Sequence, residues 1–73
     1  MTRLQRLVVA FNERHHSLVT DGYLDSFSTD LLNGKYIRMA HANGNSVSLA
    51  IYYDDYRIIQ RTNGKVVHDE EVC

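Results

Sequence analysis

Seventy-three residues with a formal net charge of −1, 44% hydrophobic and 23% charged, make one ordinary small domain and argue against both a strongly basic nucleic-acid binder and an acidic nucleic-acid mimic. A chain this short buries only about 60% of the surface its unfolded form exposes. Its single cysteine, Cys73, forms no intrachain bridge, so self-association as a homodimer is the common remedy that remains. The longest apolar run near the start, Leu7 to Phe11, is too short for a signal-peptide core or a membrane span. Together with the lone thiol this makes a cytoplasmic protein with no membrane contact the expectation.

From Thr2 to about Leu18 the pattern is helical. Leu4, Leu7, Val8, Phe11, His15 and Leu18 recur at spacings of three and four and define one apolar stripe. Thr2 is the expected N-cap, and Asp21-Gly22 ends the helix at or before Thr20. Residues 23–34 carry two readings. Leu24, Phe27 and Leu31 sit at helical spacing with Asn33-Gly34 as a stop, which favours a short helix or helical turn near 28–33. Ser26, Ser28, Thr29 and Asp30 favour the rival, a short strand from Tyr23 to Phe27 followed by one capped turn.

A four-stranded antiparallel meander then follows. Its first strand runs from about Lys35 to Ala42, its second from Ser46 to Tyr53, its third from Tyr56 to Thr62 and its fourth from Lys65 to about Glu70. A three-residue loop Asn43-Gly44-Asn45 pairs Met39 with Leu49 and Ile37 with Ile51. A two-residue loop would mix apolar and polar faces. Asp54-Asp55 as a turn pairs Ile51 with Ile58, and Asn63-Gly64 is a strong hairpin signal that sets Val67 opposite Gln60. The tail from Glu71 to Cys73 is expected to fray. The fold class is therefore α+β, with the N-terminal helix packed on Ile37, Met39, Val47, Leu49, Ile51, Tyr53, Ile58 and Val67.

One helix covers only one side of such a sheet. These pairings place Tyr36, Tyr52, Arg57 and Glu70 in one row of the opposite face. Arg38, Ala50, Ile59 and His68 form the second row, and Ala40, Ser48, Arg61 and Val66 the third. A solvated sheet face accounts for this surface as readily as a contact face does. Tyrosine and arginine are nonetheless the types enriched at interface hot spots, which makes Tyr36, Arg38, Tyr52, Arg57, Ile59 and Arg61 the candidate partner-binding residues. Aromatics flanked by arginines also stack on single-stranded RNA, although no RNA-binding box is present and the neutral charge counts against it. The flank Arg3, Arg6, Arg14 reads as a solvated helix face.

Chemistry-bearing constellations are sparse. His15 and His16 diverge by about 100° on a helix. His68 and Glu70 share a strand face without a third ligand, so a metal or acid–base enzyme using them with His41 is the third reading. Asp54-Asp55 serve as turn residues, and no phosphate loop or nucleophile–base pair occurs. No cofactor, metal or catalytic residue is expected. The preferred expectation is a non-enzymatic protein-binding module of inhibitor or adaptor type that occupies a surface of a larger partner. Many phage-encoded inhibitors, anti-CRISPR proteins among them, are chains of this size and class, an analogy of size alone.

Overall fold

The computed structural model describes residues 1–73. It contains one helix, α1 (Arg3–Thr20), and five strands, β1 (Leu24–Leu31), β2 (Gly34–Ala40), β3 (Ser46–Tyr52), β4 (Arg57–Thr62) and β5 (Lys65–Glu71). The strands form one antiparallel meander in the order β1-β2-β3-β4-β5 with α1 across one face. The expected α+β class holds, with five strands in place of four.

Local chemistry accounts for both ends of α1. The Thr2 hydroxyl accepts from the Gln5 backbone N–H at 3.1 Å, and the Gln5 Oε1 accepts from the Thr2 N–H at 2.7 Å, a reciprocal capping box. At the other end Tyr23 N–H donates to Leu18 O and Gly22 N–H to Val19 O, which satisfies carbonyls that the helix leaves open. The buried stripe is narrower than the six-residue set predicted: Leu7, Phe11 and Leu18 are buried, while Leu4 and Val8 remain 46% and 38% exposed. Two half-buried arginines flank that stripe and reach the β4–β5 side of the sheet. Arg3 stacks 4.0 Å over the Tyr56 ring, and Arg14 donates to Gln60 Oε1 at 3.0 Å. These long side chains reach over the core with their stems while their guanidinium groups find acceptors.

Residues 28–33 are not helical; they belong to β1 and its turn. The helical spacing of Leu24, Phe27 and Leu31 has a different cause. A bulge lies between Asp25 and Phe27, and an added residue there brings Leu24, Phe27, Thr29 and Leu31 onto one sheet face. A bulged strand and a helix thus produce the same apolar periodicity. The β1–β2 connection is the two-residue turn Leu32-Asn33, with Leu31 paired to Gly34.

Between β2 and β3 the faces are as expected but the register differs by two residues: Ile37 pairs with Leu49 and Met39 with Val47. The hydrogen bond from His41 N to Asn45 O, 2.9 Å, continues this register, so the tip is Ala42-Asn43-Gly44, one position earlier than predicted. His41 holds it there. Its Nδ1 accepts from Asn43 N–H at 3.0 Å, and Nε2 therefore carries the proton and donates to Asp21 O at 3.1 Å. Between β3 and β4, Ile51 pairs with Ile58 as expected.

At Asn63-Gly64 both residues have positive φ, 51° and 85°, as a type I′ turn requires. Two residues further on, a second bulge intervenes between Gln60 and Arg61, so Gln60 pairs with His68 and not with Val67. Val67 is consequently 56% exposed and outside the core, and Tyr53, at the β3–β4 turn, is outside it too. The core consists of Leu7, Phe11, Leu18, Ile37, Met39, Val47, Leu49, Ile51 and Ile58, with Ala10, Tyr23, Tyr56 and Val72 packed at its margin. The tail does not fray: Val72 N donates to Tyr56 O at 2.8 Å, and Arg3 Nε donates to Val72 O at 2.8 Å. Arg6 Nε reaches Cys73 O at 2.7 Å. Of the flank expected to be solvated, Arg3 and Arg6 thus tie down the tail, while Arg14 bonds Gln60 of β4.

Candidate interaction face

The sheet is wider than the helix, and nothing in the chain covers its outer face. The two bulges change the rows predicted there. In chain order across the strands, one row reads Thr29, Tyr36, Ala50, Ile59, Asp69, and the next Phe27, Arg38, Ser48, Arg61, Val66. A third reads Leu31, Gly34, Tyr52, Arg57, Glu71. All six residues expected from the sequence (Tyr36, Arg38, Tyr52, Arg57, Ile59, Arg61) occupy this face, while His68 and Glu70 move to the helix side.

Its centre is apolar. Ala50 is 2% exposed, walled by its neighbours Tyr36 and Ile59 in the same row. Phe27 extends this area towards β1, its ring centroid 6.4 Å from that of Tyr36. Leu24, Leu31 and Val66 also remain exposed. The β1 contribution is hard to read from the sequence because the spacing of Leu24, Phe27 and Leu31 also fits a helix, and the rival strand from Tyr23 to Phe27 covers only its first half.

The charges on this face differ in kind. Arg57 donates to Asp69 Oδ1 at 2.6 Å and to Glu71 Oε1 at 3.3 Å, and Glu71 Oε2 also accepts from Arg3 at 3.1 Å. The hydrogen bond and charge of Asp69 push the Arg57 pKa up from its ordinary value. Its positive charge is therefore balanced within the fold. Arg38 lies 5.8 Å from the Tyr36 ring, and its Nε reaches Tyr36 Oη at 3.4 Å, but no carboxylate or carbonyl meets it. Arg61 has no hydrogen-bond or ion-pair partner in the chain. Between these two a hollow of about 240 Å³ opens over Ser48.

Two further surfaces stand out. Met1, Leu4, Val8 and Val9 border an apolar depression of about 480 Å³ on the helix. A polar groove of about 450 Å³ runs between α1 and the β4–β5 pair, bordered by Glu13, Arg14, Asp21, Gln60 and Glu70. The histidines do not converge. His68 Nε2 meets Glu70 at 3.0 Å, His15 Nε2 meets Asp25 at 2.8 Å, and His41 is engaged by the β2–β3 loop and the end of α1. No three His, Cys, Asp or Glu side chains come together in a ligating group. Nor is any helix long and apolar enough to cross a membrane. Comparison with known proteins finds no matching family model, no matching curated protein and no matching solved structure.

Proposed function

We propose that the chain is a small non-enzymatic protein-binding module, of inhibitor or adaptor type, that acts by sterically occupying a surface on a larger protein. The observation that carries this reading is the five-stranded outer face, whose apolar centre of Phe27, Tyr36, Tyr52 and Ile59 around the buried Ala50 has no further cover from the chain itself. Contiguous apolar surface rimmed by polar residues is what docking sites present, and aromatic anchors carry most of the binding energy there. A single-stranded nucleic acid fits this face less well. Arg57 is already paired with Asp69 and Glu71, and those carboxylates would oppose a phosphate backbone.

The partner is identified by affinity isolation from the native cell, and binding is then measured with the purified protein. Phe27→Asp is expected to weaken binding about tenfold or more, as loss of an anchor does. Val8→Asp, on the helix, is expected to leave binding unchanged. Equal affinity for wild type and Phe27→Asp, with Val8→Asp impaired, would move the interface to α1 and overturn the reading.

A further inference from the structure

Six arginines occur in the sequence, and the fold distributes them unequally. Arg3 meets Glu71 and the Val72 carbonyl, Arg6 the carbonyls of Met1 and Cys73, Arg14 the Gln60 amide oxygen, and Arg57 the carboxylates of Asp69 and Glu71. Only Arg38 and Arg61 lack a carboxylate, carbonyl or amide oxygen as acceptor. These two lie in the same row of the outer face, on strands either side of Ser48. Strands lie about 4.8 Å apart, so the two backbones are separated by about 10 Å with the serine midway. The Ser48 hydroxyl makes no hydrogen bond to another protein group, and the hollow above it is bounded by Tyr36, Ser46 and Gly64.

We propose that Arg38, Ser48 and Arg61 form a notch for one carboxylate, an aspartate or glutamate side chain presented by the protein partner. The proposal rests on the reading of the outer face as a protein contact surface. Arg38 and Arg61 face each other with no acid between them, and an anion placed there relieves their mutual repulsion. Guanidinium groups donate in a planar fork that matches a carboxylate, and the serine supplies a further donor from below. Tyr36 Oη meets Arg38 only at Nε, 3.4 Å away, which leaves the terminal nitrogens without a partner in the chain. The site accommodates a single group, not a track. The neighbouring row is apolar through Tyr36, Ala50 and Ile59 and ends at Asp69, so a polyphosphate leaving the notch in that direction meets no further cation and then a carboxylate. An acidic residue set within an apolar protein surface matches both features.

The test uses the side-chain Nε–H resonances of the ¹⁵N-labelled protein, titrated with a blocked hexaglutamate peptide, with hexauridylate and with sodium sulfate at equal ionic strength. With the peptide, Arg38 and Arg61 are expected to shift in a saturable manner while Arg57 stays in place. Arg61→Gln and Arg38→Gln are each expected to weaken that binding about tenfold, their amide spectra otherwise retained. Tighter saturable binding of hexauridylate would assign the notch to nucleic acid and overturn the proposal. So would equal shifts with sulfate, which indicate charge screening alone, or unperturbed Arg38 and Arg61 resonances. Because no native partner enters the titration, its failure leaves the Phe27→Asp result standing. Conversely, loss of the Phe27→Asp effect removes the contact face whatever the arginines do.

Discussion

Gly34 shows how a single position can constrain the sheet that carries the face. It is buried at the start of β2, next to the Leu32-Asn33 turn, and a Cβ built there would lie 2.0 Å from the Ile51 carbonyl oxygen of β3. That neighbour is backbone within a paired strand, so relief requires the β2–β3 register itself to move. Gly34→Ala is therefore expected to destabilise the fold by about 2 kcal/mol, as overpacking of a rigid site does. Urea denaturation measures this through the shift in midpoint, and a change below about 0.5 kcal/mol would show that the strands have room to separate. The glycine is visible in the sequence only as part of Asn33-Gly34, which reads there as a helix stop. Its actual constraint comes from a strand 17 positions away, since the partner is Ile51, and local reading has no access to that distance. Arg57 illustrates the same gap. Asp69 and Glu71 raise its pKa above the ordinary value, so on the alkaline side the stability the pair confers is lost only as pH rises through that raised value. Its pairing with Asp69 and Glu71 follows from the bulge in β5, which no residue type announces.

At the level of elements, α1 and the three central strands were legible because their apolar residues repeat with one period each. Leu7, Phe11 and Leu18 on the helix and Ile37, Met39, Val47, Leu49, Ile51 and Ile58 on the strands all reach the core. The edges were less legible, because each contains a bulge that breaks the two-residue alternation. In β1 it imitates a helix, and in β5 it removes Val67 from the core and turns Asp69 and Glu71 to the outer face. Of the candidate site, β2 through β4 could be read and the β1 portion could not. The same edge position has a dynamic consequence. Every residue of β1 is exposed, and the strand is held by its pairing to β2, the His15–Asp25 contact of 2.8 Å and the Ser26 hydroxyl on Arg38 O at 3.2 Å. With no side chain buried, β1 opens without loss of the core. Amides of β1 bonded to β2 are expected to exchange at least tenfold faster than those between β3 and β4. Uniform protection across the sheet would show that β1 opens only with global unfolding.

For the whole molecule, the decisive imbalance is one helix against five strands. The helix side supplies a core of nine residues, and the outer side leaves an apolar centre in water. A chain of this size has a small stability margin, and anything that binds the folded state alone increases it by mass action. A second copy is the occupant always present in a purified sample. A two-fold contact would set the same patch against itself, which the central residues Tyr36, Tyr52 and Ile59 allow because they carry no charge. In isolation the protein is therefore expected to self-associate weakly through this face, its sedimentation coefficient rising with concentration. Tyr52→Arg places a like charge at the centre of both copies and is expected to return the protein to a monomer at all concentrations. Val8→Arg, on the helix depression, serves as the comparison. If Tyr52→Arg sediments as wild type while Val8→Arg abolishes the concentration dependence, self-association belongs to α1. The outer sheet face would then remain free for a larger partner even in the dimer. If both variants behave as wild type, neither apolar surface supports a pair.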